Sequence, residues 1–359
     1  MNTETQGFSK LRAIFFPIYG YELKKFLPMG MMMFFILFNY NILRDTKDTL
    51  IVNSAGAEAL SLIKLIGTVP GAILIMLFYS KLSTLVSKTG LFYTMLIPFL
   101  IFFGLFAFFI YPNRELLHPS VQSIQELSIA FPRFKTLFAV LGSWSYALFY
   151  ILSELWGSVV MGLLFWRFAN DIVDMKQAKR FYSLFGFMAN FGLIAAGTIT
   201  TYLSQARSTL APNCDPWGIS LNYLMTAVVI AGFSITAIYA WMNKYIVPEI
   251  TVSSEKVEKK KKMSLTESFS FLIRSKHLGY IALIVICYGI TQNIIEGVWK
   301  GQIREVYSNE NEYNAFMGHL TTFTGIVTIL SMLLGSNIVR LFGWFISASL
   351  TPLMILLTG

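Results

Sequence analysis

Nine long, unbroken apolar runs divide this chain of 359 residues, at 26–43, 62–79, 91–111, 137–165, 182–203, 219–243, 278–299, 317–339 and 341–358. A helix needs about 20 mostly apolar residues to cross about 30 Å of hydrocarbon, and these runs match that length. They are continuous rather than alternating at period 2, so an outer-membrane barrel is excluded and helices remain. Composition agrees. With 55% hydrophobic and 13% charged residues, too little polar surface is left to cover a water-exposed globule. The 32 Phe and 17 Tyr are equally unlike a disordered chain. The expected fold class is all-α, a polytopic helical membrane protein.

The net charge of +9 is read as topology rather than nucleic-acid affinity, because basic loops stay on the cytoplasmic side. A cytoplasmic N-terminus places 19 of the 28 basic residues inside. The first run follows Lys10, Arg12, Lys24 and Lys25, so a retained span is expected there, not a cleaved signal or transit leader. Six runs precede a hydrophilic stretch containing Lys259 to Lys262. The expected organisation is a six-helix bundle over 1–243, a basic cytoplasmic linker over 244–277 and a second bundle over 278–359, of which three helices are present. Six spans, a basic linker and further spans is the layout of major-facilitator transporters, whose halves pack around a midplane site. The second half reads as cut short. Cys287 lies within a run and Cys214 in an expected outer loop, so no disulfide between them is expected.

Charges inside apolar runs are costly and mark sites unless they have another explanation. Arg44-Asp45-Thr46-Lys47-Asp48 closes the first run, with Arg44 and Lys47 on one face and Asp45 and Asp48 on a neighbouring one. Two readings stand: cations facing a cavity that holds a polyphosphate, or a solvated helix end whose charges pair among themselves. Glu154 lies deep in the fourth run with no basic residue within a turn. It caps a segment after a break near Gly157, needs a partner from another helix, or stays neutral through a raised pKa. Glu296 precedes Lys300 at the spacing of a local ion pair, and Lys64 can snorkel to the interface. Asn190 sits among small residues that favour close helix packing, or lines a cavity. Tyr150 and Trp299 are weak candidates for stacking on a base.

Missing motifs narrow the chemistry. There is no Gly-Lys dipeptide, hence no P-loop, and no Gly-x-Ser-x-Gly elbow. His118, His277 and His319 lack metal-ligand spacing, so no metal and no cofactor is expected. Enzymes are thereby disfavoured, although a lipid-modifying enzyme, a scaffold and an organic-phosphate carrier stay open.

The heptapeptide from Arg44 to Leu50, Gly56-Ala57-Glu58, Ile63-Lys64-Leu65, Ser153-Glu154-Leu155-Trp156-Gly157-Ser158 and Phe165-Trp166-Arg167-Phe168-Ala169-Asn170 together resemble the non-mitochondrial ATP/ADP translocases of chlamydiae, rickettsiae and plastids. The likeness covers essentially the whole chain, and Leu23-Lys24-Lys25-Phe26-Leu27-Pro28 is similar to the chlamydial branch. The resemblance implies twelve helices of major-facilitator type, a monomer in a bacterial inner membrane, and exchange of external ATP for internal ADP plus phosphate. Proton symport or broader nucleotide import is the alternative within the family. It implies functional charges at Lys47, Glu154 and Glu296, and a further lysine beyond Gly359. It also turns Arg44, Lys47 and Lys64 into a phosphate-facing set, supported by Asp45, Asp48 and Lys300. On this view Glu154 and Glu296 pair with the cations in the empty carrier, so substrate and carboxylate compete.

Overall fold

The structure, a computed structural model, describes residues 17–205, 215–248 and 276–358. Lys10, Arg12, Cys214 and most of the expected linker, including Lys259 to Lys262, lie outside the described residues. Helices carry the fold, and no strand occurs among the described residues. In chain order they are α1 (Leu23–Ala55), α2 (Glu58–Leu85), α3 (Lys88–Ile110), the short α4 (Val121–Ala130) and α5 (Lys135–Gly142), α6 (Trp144–Ile172), α7 (Met175–Gln205), α8 (Pro216–Tyr245), α9 (Lys276–Val306) and α10 (Glu310–Thr358). Eight of these contain stretches long and apolar enough to cross a membrane. The chain is a multi-pass membrane protein.

Local chemistry explains several boundaries. Gly56 has φ +90, a left-handed conformation that separates α1 from α2 and that a side chain adopts only with strain. Ser87 caps α3 by accepting from the Gly90 amide at 3.1 Å. Two expectations are corrected. The run at 137–165 is not a single helix: Ser143 leaves the helical region at φ −119, ψ 41, and separates α5 from α6. Its hydroxyl bonds back to the Ala139 carbonyl at 3.0 Å, a local alternative to continuing the helix. The break expected between 339 and 341 is also absent, because α10 runs unbroken for 49 residues. At about 1.5 Å per residue it is far longer than the bilayer core is thick. A lone Arg340 lowers hydropathy without breaking backbone hydrogen bonds, so the helix continues through it.

Two compact units are present, and each draws on chain from both sides of the basic segment. The first comprises the chain through Asp45, Val159–Ala240 and Asn314 onward. There Phe26 stacks on Phe185 at 5.4 Å and meets the edge of Phe181 at 5.3 Å, fixing α1 on α7. Gly192 lies directly against the Phe34 carbonyl, and Gly197 faces Gly318 of α10. Apolar attraction between helices is weak in lipid, so close backbone contact at such glycines supplies much of the packing. The second unit comprises Thr46–Ser158 and Trp241–Tyr313. Its α3 is held on α6 by Phe99 against Trp156 at 6.0 Å and Phe103 against Phe149 at 5.4 Å. Gly67 and Gly71 of α2 fit under Ile151 and Leu155 of α6.

Candidate functional site

Within the second unit, charged residues from four helices form one alternating chain. Glu154 of α6 accepts from Lys47 of α1 at 2.9 Å, and Lys47 also donates to Asp48 at 2.8 Å. The other Asp48 oxygen accepts from Lys300 of α9 at 2.5 Å. Lys300 donates in turn to Glu296, whose second oxygen accepts from Lys64 of α2 at 2.7 Å. Three cations thus alternate with three carboxylates, and the formal charges cancel. Burial requires such an arrangement, because an ion left unpaired in this environment is severely penalised.

The backbone places these groups. Lys64 opens a five-residue π-helical turn, Lys64–Thr68, where the Val69 amide bonds to the Lys64 carbonyl instead of one residue later. Such turns concentrate at functional sites. Gly67, one turn on, lets α2 settle on Ile151, one turn before Glu154. Helix α6 stays regular through Trp156 and becomes π-helical over Gly157–Phe165. Glu154 therefore does not cap a broken segment, and its partner comes from another helix. At the end of α1, Arg304 of α9 donates to the otherwise unpaired Asn53 carbonyl at 3.0 Å.

Exposure is graded along the chain of charges. The side chains of Asp48, Lys300 and Lys47 are 0%, 2% and 3% exposed, whereas Glu296, Glu154 and Lys64 are 21%, 24% and 24% exposed. Tyr150 presents its ring face 4.0 Å from the Lys47 ammonium and is fully buried, so it cages Lys47 and is not placed to stack on a base. Its hydroxyl, like that of Ser153, is buried without a hydrogen-bond partner.

The remaining expected residues fall in the first unit. Arg44 approaches Asp45 at 3.5 Å and donates to the Thr321 hydroxyl at 3.1 Å, while that hydroxyl donates to Asp45 at 2.8 Å. Asn190 donates to its own helix at the Gly186 carbonyl, 2.8 Å away, and contacts the Met332 sulfur at 3.5 Å. The first cluster is not a solvated helix end, since Asp45, Lys47 and Asp48 are buried, although its charges do pair among themselves as Arg44 with Asp45 and Lys47 with Asp48. Sequence reasoning undervalued Lys300 as a local partner of Glu296, and missed Asn293, whose side-chain oxygen accepts from Lys64 at 2.8 Å. One signal was available: Asn293, Glu296 and Lys300 recur on one face of an otherwise apolar helix. Among the described residues no group of His, Cys, Asp and Glu is arranged to hold a metal ion.

Fold and charges together define a helical, multi-pass membrane protein with a buried polar centre. The TLC ATP/ADP transporter family model matches residues 1–359, and the chain belongs to that family. It is 47% identical to ADP,ATP carrier protein 1 of Chlamydia trachomatis, over 99% of this chain and 69% of that protein. It is 42% identical to the chloroplastic ADP,ATP carrier protein 2 of Arabidopsis thaliana, over 100% of this chain and 58% of that protein. Identity to ADP,ATP carrier protein 1 of Rickettsia bellii is 41%, over 98% of this chain and 70% of that protein. No solved structure matches the chain significantly.

Proposed function

We propose that this protein exchanges external ATP for internal ADP across a bacterial inner membrane by alternating access, as a secondary active carrier and not an enzyme. The observation that carries the reading is the neutral chain of six charges joining α1, α2, α6 and α9, in a member of a nucleotide-transporter family. A nucleotide brings three or four negative charges, which a neutral cluster accepts only if resident carboxylates give way. Glu154 and Glu296 are the solvent-reachable acids, and so the displaceable ones; Asp48 is the fixed one. Phosphate oxygens then take their places on Lys47 and Lys64 through charge-assisted hydrogen bonds. In the re-formed neutral state the helices are bound together again, so the carrier returns slowly without a counter-substrate. That competition gives obligatory exchange a physical basis.

The same reading carries the finer assignments. In chain order the halves are 1–243 and 278–359, joined by the cytoplasmic linker 244–277, and each compact unit takes helices from both halves. The N-terminus is cytoplasmic, the carrier acts as a monomer, and phosphate accompanies ADP. Arg44 and Asn190 add to the polar lining of the pathway, with Asp45 limiting the charge on Arg44.

The test is counter-exchange. Vesicles holding the intact protein are loaded with ADP, GTP, NAD or buffer and given labelled ATP. Uptake driven by internal ADP and negligible with internal buffer is the expected result; uptake that is independent of internal nucleotide but follows a proton gradient overturns exchange.

A further inference from the structure

We infer that Lys64 and Lys300 form a phosphoryl-binding subsite, which in this structure is filled by the carboxylate of Glu296. The inference rests on the nucleotide-carrier reading above and assigns the phosphate contacts within it. The two oxygens of Glu296 are divided between two ammonium groups, one from α2 at 2.7 Å and one from α9. A terminal phosphoryl group presents the same kind of oxygen pair with greater charge. Two lysines converging on one small anion from different helices already have the geometry such a group requires.

Exposure, not the number of donors in use, distinguishes the Lys64 end of this pair from Lys47. An ammonium has three N–H donors. At Lys47 two are taken by Asp48 and Glu154, and the Tyr150 ring covers a further side of the ammonium. Lys64 donates to Glu296 and to Asn293, and its side chain is 24% exposed. Asn293 itself is exposed. An anion arriving through water therefore meets the Lys64 end before it can reach Lys47.

Lys300 is suited to change partners without being stranded. Asp48, wholly buried, also holds its ammonium, at 2.5 Å. When Glu296 swings off, Lys300 remains paired and positioned, and only the Glu296 places on the two lysines change hands. Glu296 is tethered one turn from Lys300 on the same helix, so it competes at high effective concentration. A carboxylate with one charge yields to a phosphoryl group with two, and returns when that group departs.

The experiment uses the intact protein in vesicles loaded with ADP, with labelled ATP outside and unlabelled ATP, AMP or inorganic phosphate as competitors. The wild type is expected to prefer ATP to AMP. In Lys64→Met and in Lys300→Met that preference shrinks by about tenfold or more, through weaker ATP binding alone, as expected for loss of a charged hydrogen bond. Lys64→Arg retains most of the preference, and Glu296→Gln lowers KM for ATP because the tethered competitor is weakened. Inhibition by inorganic phosphate that disappears in both lysine variants shows that the subsite also takes free phosphate. A split between ATP and AMP without phosphate inhibition confines it to the nucleotide-borne group. Parallel loss of ATP and AMP affinity, unchanged ATP affinity in both lysine variants, or a raised KM in Glu296→Gln overturns the subsite. Should Lys300→Met fail to fold, the contrast between Lys64→Met and Lys64→Arg decides. A wild type without exchange would instead overturn the carrier reading itself.

Discussion

The buried ammonium of Lys47 ties α1 to α6. It is held by two carboxylates and an aromatic face, so its removal leaves Asp48 and Glu154 partly uncompensated. Lys47→Ala is expected to abolish exchange measured in ADP-loaded vesicles. Glu154→Gln is expected to depress exchange far more than the amount of folded protein. Tyr150→Phe keeps the ring beneath Lys47 and removes a buried hydroxyl that has no partner, so thermal unfolding in detergent should be unchanged or slightly raised. Tyr150→Leu loses the cation–π contact and should cost about 1–2 kcal/mol. Away from the spans, burial and the neighbouring Arg114 hold the His118 imidazole below its ordinary value. A group of this kind contributes stability above its unfolded pKa of about 6.5 and loses it as pH falls. The melting temperature should therefore drop below that pH, and drop less in His118→Gln.

At the scale of elements, glycines decide how closely helices approach, and their neighbours decide what a substitution costs. A methyl group at Gly192 would collide with the Phe34 carbonyl, a backbone atom that no rotamer change can move. At Gly67 the obstacle is the end of the Ile151 side chain, which can turn aside. Gly192→Ala is thus expected to destabilise by about 1–3 kcal/mol, and Gly67→Ala by clearly less, in thermal unfolding of the purified protein. That α1, α2 and α6 exist was legible in the sequence because their apolar runs are long. Their irregularities were not. The π-helical turn at Lys64 and the nine-residue one at Gly157 reflect packing and a shifted hydrogen-bond register, for which hydropathy carries no signal. Likewise the chain divides at Ser143, where a hydroxyl competes for backbone bonds, and continues through Arg340, where a charge alone cannot end a helix.

For the whole molecule, the excess of basic residues on one set of loops predicts the orientation. A cysteine placed at Ser87 should react with a membrane-impermeant maleimide only from the cytoplasmic side, and one at Asn113 only from outside. The reverse labelling pattern would invert the positive-inside assignment.

The sequence alone determined that the chain crosses a membrane as helices, because lipid leaves a polar backbone no other common solution than a closed barrel, and the apolar runs lack the barrel period. It also singled out most of the charges that pair within the second unit, since so few lie in or beside those runs. What it did not determine is their pairing. Glu296 and Lys300 satisfy a local ion pair by spacing alone, and that reading is true as far as it goes. Only the folded arrangement of α1, α2, α6 and α9 brings Asp48 to Lys300, Lys64 to Glu296 and Lys47 to Glu154. Those contacts join residues from about a hundred to more than two hundred positions apart. Their geometry is set by helix packing, a property of the assembled surfaces and of no local segment.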